Sequence, residues 1–381
     1  MSISFERVGR GVPGGPYADR SARNRPLRKL PWSCRRSAAA RPSRVASIPG
    51  VSRSGHAGNH DGKAAVVLVN CAGGRELEIV REILTGPLKT PTILIRQADL
   101  HSTPMALDVD TGLLDVAGQR VRPAVVWVRH AAACALVAQA EPAGSVTPLQ
   151  AAAWSGFLQQ VASTATTALP GSTLVGPGQL AQARRLGVRT PRTVVTNHVP
   201  TGTRGLGTPR VIVKTQDFRL FEPDRRNWSR WLPSVIGPDP VPGSHPVADD
   251  PLVGHPDVGH PVVVQEYLGG ARELRVYHLG GGICAFEVDK PDPSSLMTDP
   301  GSVTVRRVSC PPAAADAVRA LCAAWNLRYG AFDLLVPDTG EPVFLEANPD
   351  GDWLWFERRA RWHGVSFMAA VMVRELFLRT S

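Results

Sequence analysis

None of the six cysteines of this 381-residue chain stands in a C-x-x-C pair. Cys34, Cys71, Cys134, Cys284, Cys310 and Cys322 are scattered, which argues against a zinc ribbon and a disulfide-framed secreted domain and predicts reduced thiols in a cytoplasmic protein. No run of about eighteen apolar residues occurs, so no membrane partner is expected. The N-terminus also lacks the continuous apolar core of a secretory signal. Acidic residues are scarce at the start: residues 1–62 hold eleven Arg and one Lys against Glu6, Asp19 and Asp61. This arm carries nearly all of the formal charge of +10. The remainder is about neutral, so nucleic acid is not an expected partner. The arm mixes Arg, Pro, Ser and Gly without apolar periodicity and is expected to be disordered.

Folded structure is expected from Lys63. Ala64–Val69 reads as a buried strand, Arg75–Leu84 as a helix and Pro91–Arg96 as a second strand, a β-α-β opening that predicts a small α/β domain with a parallel sheet. Pro123–Val128 is another strand, Leu149–Leu169 a longer helix and Gly178–Leu186 a helix stopped by Gly187. Residues 199–260 are rich in Pro, Gly and Asp. Within them, residues 221–260 form a long insertion with Trp228 and Trp231 near Arg225, Arg226 and Arg230. Such a mixture grips a peptide or a base, or is an ordinary surface turn. Cys322 shares helical core spacing with Val318, Leu321 and Trp325. Ser366 reads as the cap of a last helix with Met368, Val371, Met372 and Leu376 on its apolar face.

The richest segment is Tyr329–Asn348. Two apolar runs, Ala331–Val336 and Pro342–Leu345, flank Asp338-Thr-Gly340, a hairpin signature. Asp333 lies on the first strand. Glu346 and Asn348 end the second, two residues apart and so on one face. Antiparallel pairing can add Asp333 to that face. Three hard oxygen donors there suit Mg2+, and an uncompensated carboxylate in core strands would cost several kcal/mol. Upstream, Pro209-Arg-Val-Ile-Val-Lys214 is a short buried strand ending in lysine. Pro261–Leu268 is a buried strand containing Gln265, Glu266 and Tyr267. Arg272-Glu-Leu-Arg275 opens a hairpin that turns at Gly280–Gly282.

In this order, a lysine strand, a Gln-Glu-Tyr hinge, a Glu-x-Arg strand, a helix and an Asp strand paired with Phe-Leu-Glu-x-Asn-Pro, the chain resembles the ATP-grasp superfamily. Within it the chain most resembles the microviridin-type (graspetide) peptide ligases. Trp127-Val-Arg129, the helix from Gln179 to Gly187 and Pro191–Asn197 add to the likeness, which spans roughly residues 65–380. The resemblance implies an α/β and α+β architecture: an ATP-grasp domain at 191–381 preceded by a small α/β pre-ATP-grasp domain at 63–190. It implies ATP and Mg2+ as cofactors and a precursor peptide as substrate, and it admits a homodimer. It places the adenine at the hinge Gln265, Glu266 and Leu268, the phosphates near Lys214, and Mg2+ on Asp333, Glu346 and Asn348. Arg275 would face the transferred phosphoryl group, with Arg272 or Arg306 as substitutes.

The residues taken singly leave other roles open: Lys214 can simply reach to water, Arg275 can pair with Glu273 or Glu287, and Glu266 can cap a turn. Three segments depart from the resemblance. Gly176-Pro-Gly-Gln179 lacks a lysine expected before Gln-Leu, Arg129-His130-Ala131 replaces Arg-Arg-Pro, and Met297–Ser302 replaces an Asp-Trp-Arg-like segment. The activity implied is ATP-dependent activation of an Asp or Glu side chain for ω-ester or ω-amide closure. A ligase for free amino acids or small acids, and a binding protein without turnover, are the competing readings.

Overall fold

The computed structural model describes residues 62–71, 74–130, 148–171, 177–215, 233–237 and 261–380. The arm up to residue 61, Trp228, Trp231 and most of the 221–260 insertion lie outside the described residues. The first sheet has the order β2-β1-β5-β4-β3, with β6 beside β5. Its strands are β1 (Lys63–Asn70), β2 (Thr92–Arg96), β3 (Met105–Asp108), β4 (Leu113–Val116), β5 (Gln119–Arg129) and β6 (Thr167–Leu169). β1 runs parallel to both β2 and β5. It is buried on both faces, which is why Val66–Val69 reads as a continuous apolar run. Helix α1 (Glu76–Thr85) links β1 to β2 and buries Leu77, Val80 and Leu84, the stripe its spacing predicts. A four-residue helix α2 (Asp99–Ser102) precedes β3.

The predicted helix 149–169 is shorter than expected: α3 is Pro148–Thr164, and Thr167–Leu169 pairs with Val125–Trp127 instead. Ser163 and Thr164 turn their hydroxyls onto the carbonyls of Gln160 and Val161. The β-branched threonines that follow suit a strand. The cysteine expectation also needs correction, because Cys71 is disulfide-bonded, whereas Cys284, Cys310 and Cys322 are free. Sequence spacing identifies metal and redox motifs but not which cysteines a fold brings together.

Helix α4 (Pro177–Arg185) leads to the second sheet, ordered β7-β10-β8-β9. Its strands are β7 (Thr193–Thr196), β8 (Val211–Lys214), β9 (Ser234–Ile236) and β10 (Val262–Glu266). Helix α5 (Val199–Leu206) lies between β7 and β8; the His198 ring accepts from the N–H of Thr201 and so caps it. The third sheet is antiparallel, β13-β12-β11-β14-β15. It comprises β11 (Arg272–Leu279), β12 (Gly282–Asp289), β13 (Thr304–Val308), β14 (Tyr329–Val336) and β15 (Val343–Asn348). Gly280 and Gly281 form the two-residue turn at the predicted place, both with positive φ, +61° and +105°.

A short helix α6 (Ser295–Thr298) follows β12, and α7 (Pro312–Ala324) precedes β14. Helix α7 packs Val318, Leu321 and Cys322 on one face of the third sheet, against Leu274, Val276, Phe332 and Phe344. The opposite face meets α8 (Leu354–Ala360) and α9 (Gly364–Leu378) through Tyr277, Phe286, Tyr329 and Trp353. Ser366 does not cap α9, which begins two residues earlier. The carboxylate of buried Glu357 reaches across from α8 and accepts from both the N–H and the hydroxyl of Ser366 at 2.8 Å. A carboxylate there complements the positive end of the helix. Among the described residues no helix is long and apolar enough to cross a membrane.

Candidate active site

Strand register assembles a row of charges across the third sheet. Arg275 stands opposite Asp333, and Asp333 opposite Glu346. A bulge beside Asp333 leaves Leu345 unpaired, which keeps Glu346 on the face of Arg275 and Asp333. Phe344 and Ala347 point the other way, under α7. Asn348, two residues beyond Glu346, shares its face. Its Oδ1 accepts from the N–H of Asp350 at 3.1 Å. The edge strand β15 is held by Gln179 of α4, whose carboxamide donates to Ala347 O at 2.9 Å and accepts from Ala347 N at 2.7 Å. Gln179 thus fixes the residue between Glu346 and Asn348, a role that one glutamine in a polar helix did not announce.

Arg275 does not pair with Glu273 or Glu287. Its Nη1 donates to both oxygens of Asp333, at 2.9 and 2.8 Å. The guanidinium lies 5.6 Å from the ring centroid of Tyr277 and 5.2 Å from that of Phe356. Burial works against its charge, but Asp333 and Tyr277 together outweigh burial and hold the Arg275 pKa well above its ordinary value. Its substitutes fall away: Leu274, Glu287 and Arg306 occupy one row of the opposite face, and both Arg272 and Arg306 bind Glu287.

Gly351 is required here because a Cβ at that position would stand 2.4 Å from the Cβ of Ala331 and 2.8 Å from Nη2 of Arg275. Gly351→Ala is expected to cost about 1–3 kcal/mol of stability through overpacking. By displacing the guanidinium it is also expected to lower turnover roughly a hundredfold. Thermal denaturation and steady-state rates on one preparation check both effects.

Glu346 remains accessible to water at its place on the sheet. The protein crowding it raises its pKa. Lys214 opposes that rise, Asp333 adds to it, and Arg275 and Lys290 oppose it. Lys214 ends β8 in the second sheet, and its charge acts on Glu346 at the end of the third. No carboxylate pairs with Lys214 among the described residues. Lys290, just past the end of β12, binds Glu273 at 2.8 Å with both side chains mostly buried. Burial raises the pKa of Glu273, Lys290 opposes it, and Asp333 adds to it. Lys290 was missed in the sequence, although a lysine at a strand end repeats the placing of Lys214.

The hinge residues lie where the second sheet passes into the third. Gln265 is buried and donates to Thr193 Oγ1 at 2.9 Å. The Glu266 carboxylate is taken by Arg192 at 2.6 Å, and its N–H by the carbonyl of Arg192. Leu268 is half-buried in the link to β11. Among the described residues no three of His, Cys, Asp and Glu cluster as a metal site. The oxygen set on this face is two carboxylates and a carboxamide, and two adjacent carboxylates with hard oxygen donors fit a divalent cation such as Mg2+.

The loop after Asn348 is tied from three sides. Tyr277 donates its hydroxyl to Asp352 O at 2.6 Å, and Tyr329 donates to Gly351 O. Arg129, at the end of β5 and fully buried, donates from Nη2 to Asp350 O and to Asp352 Oδ1, both at 2.8 Å. It also lies over Trp353 at 4.6 Å. Burial alone would raise the pKa of Asp352, but His130 and Arg129 outweigh it and bring it down to about 2. A lowered folded-state pKa contributes stability above the unfolded value that is lost as pH falls through the folded one. Asp352→Asn is therefore expected to lower the unfolding midpoint at neutral pH, and the gap to wild type is expected to close between about pH 4 and about pH 2. Melting curves across that range measure it; a constant gap would deny the ion pair its role.

Three sheets in this order share their fold with solved ATP-grasp ligases. The ligase PsnB, solved with a phosphomimetic variant of its minimal precursor, Mg and ADP, superposes with a TM-score of 0.61 at 18% identity, over 83% of this chain and 99% of that one. The macrocyclase MdnC of Microcystis aeruginosa MRC, bound with precursor peptide MdnA, gives 0.60 at 17% identity over 82% and 99%. D-alanyl-alanine synthetase A of Vibrio cholerae gives 0.50 at 13% over 83% and 99%. No protein-family model matches the chain and no curated protein matches it in sequence.

Proposed function

We propose that the chain is an ATP-dependent carboxylate ligase acting on a precursor peptide, with residues 63–190 as its pre-ATP-grasp domain and 191–381 as its catalytic domain. The observation that carries this reading is the row Arg275, Asp333, Glu346 on one sheet facing Lys214 on the other. That is the arrangement a phosphoryl transfer needs: cations for the phosphates, oxygens for a metal, and a fixed guanidinium where charge develops. Glu266 and Leu268 would offer backbone groups to the adenine, beside Gln265. Lys214 would meet the phosphates as a point charge. Asp333, Glu346 and Asn348 would hold Mg2+, which would offset the charge of the phosphates. Arg275 would stabilise the moving phosphoryl group. Lys290, joined to Glu273 beside Asp333, adds a further cation to the same site.

In the reaction the γ-phosphoryl group of ATP passes to an Asp or Glu side chain of the peptide, giving an acyl phosphate and ADP. A Ser or Thr hydroxyl or a Lys amine then attacks the acyl carbon, loses its proton and expels phosphate, which closes an ω-ester or ω-amide ring. The peptide substrate is favoured by the higher similarity to PsnB and MdnC, both solved with precursors. The likeness to D-alanyl-alanine synthetase favours a second reading, ligation of free amino acids. A cytoplasmic enzyme working as a homodimer completes the proposal. Purified protein with ATP, Mg2+ and a synthetic peptide rich in Asp, Glu, Ser, Thr and Lys tests it. ADP release that depends on the peptide, with loss of one water mass per ring, is the expected result. ADP release driven only by free amino acids would support the second reading, and neither would leave a binding protein.

A further inference from the structure

At the end of the third sheet where β11 turns and β14 begins, the structure contains a cavity of about 250 Å³ between α7 on one face, α9 on the other and the link from α7 to β14. His278 lies three residues from Arg275 on β11, so it faces the other way and sits roughly 10 Å along the strand. The floor is apolar, formed by Cys322, Leu327, Met372 and Leu376, all buried. His278 joins it with 7% exposure, and its Nδ1 is buried with no hydrogen-bond partner. A buried acceptor without a partner is unfavourable, and a ligand donor would satisfy it. Burial pulls the His278 pKa down, a hydrogen bond with the backbone of Arg328 pushes it up, and the charge of Arg319 lowers it, so the ring is neutral at neutral pH.

The rim carries three guanidinium groups, from Arg319, Arg328 and Arg379, against the single carboxylate of Glu375. Arg319 is shared with Asp316 at 3.1 Å. Among the described residues Arg328 and Arg379 make no ion pair. A cationic rim, an apolar wall and an imidazole nitrogen at depth define a ligand with an anionic end, an apolar body and a polar tip. Bidentate guanidinium binding suits carboxylate and phosphate alike, but Glu375 disfavours a dianion.

We propose that this cavity is a second binding site, separate from the ATP-grasp cleft, for a small organic carboxylate. The ligand carries a hydrogen-bond donor at its far end, received by Nδ1 of His278, while Arg328 and Arg379 take the carboxylate. The site stands independently of the ligase reading, since no residue of the cleft lines it.

Calorimetry on the full-length protein with ADP and Mg2+ saturating tests the site, because the nucleotide cleft is then filled. The probe is 4-hydroxybenzoate, with 4-methylbenzoate and inorganic phosphate as comparison arms. One site per chain is expected for the hydroxy acid, with weaker binding of the methyl analogue and of phosphate. Arg328→Ala and Arg379→Ala sit on the exposed rim and are each expected to weaken the hydroxy acid about tenfold. His278→Phe is expected to erase the preference for hydroxyl over methyl; if that variant does not fold, the ligand series carries the same comparison. No binding heat up to millimolar hydroxy acid, or affinity unchanged by both arginine substitutions, overturns the proposal. Phosphate binding tighter than the carboxylate overturns the ligand class assigned.

Discussion

Glu346→Gln is expected to lower turnover at least about a hundredfold while leaving the ligand-free protein as stable as wild type or more so. The two halves share one cause. The pKa of Glu346 is raised, first by the protein crowding it, then by Asp333. A carboxylate with a folded-state pKa above its unfolded value costs stability once pH rises past the unfolded value. Glutamine removes that cost and with it the charge that a metal ion would use. The melting midpoint of the variant without ligand is therefore expected to match or exceed wild type at neutral pH, with the difference shrinking toward pH 4. Nucleotide and Mg2+ together are expected to raise the wild-type midpoint by mass action and to raise that of the variant less. A variant that turns over at the wild-type rate would remove Glu346 from the site.

Arg275→Ala is expected to act on both stability and rate. The Arg275 and Asp333 side chains are 11% and 19% exposed. Deleting the cation strands a buried carboxylate, at about 3–5 kcal/mol. If Arg275 also stabilises charge as the phosphoryl group moves, kcat and kcat/KM fall together, roughly a hundredfold or more, with little change in nucleotide affinity. Arg275→Lys is expected to restore part of the stability and little of the rate, since a point charge cannot replace the planar fork. The double variant Arg275→Ala with Asp333→Asn separates the roles. Removing both charges is expected to recover much of the folding stability while turnover stays lost. Recovery of turnover as well would remove both Arg275 and Asp333 from the chemistry and leave them a structural cross-strand pair.

The local pieces of this site were legible because each is a short-range consequence of chain geometry. Period-two spacing put Glu346 and Asn348 on one face. Glycine at 280 and 281 located a tight turn through its tolerance of positive φ, and the stripe Leu77, Val80, Leu84 located a helix face. The resemblance to ATP-grasp ligases added the order of these pieces and, through that order, the fold.

What the sequence could not contain is which side chains meet across strands distant in the chain. The partner of Arg275 is Asp333, fixed by the β11–β14 register rather than by any neighbour in sequence. Gln179 bonds Ala347, Arg129 bonds the loop after Asn348, and Lys290 joins Glu273, all through contacts between separate elements. The same limit hid the disulfide at Cys71 and the reach of Glu357 to Ser366. Periodicity and turn chemistry act over a few residues, so the sequence by itself determined most of the strands around the site, the Gly280–Gly281 turn and the face that Glu346 and Asn348 share. Register, bulges and helix packing minimise energy over the whole chain, so only the tertiary structure decided which charges are paired, which are left open, and where the cleft and the second cavity lie.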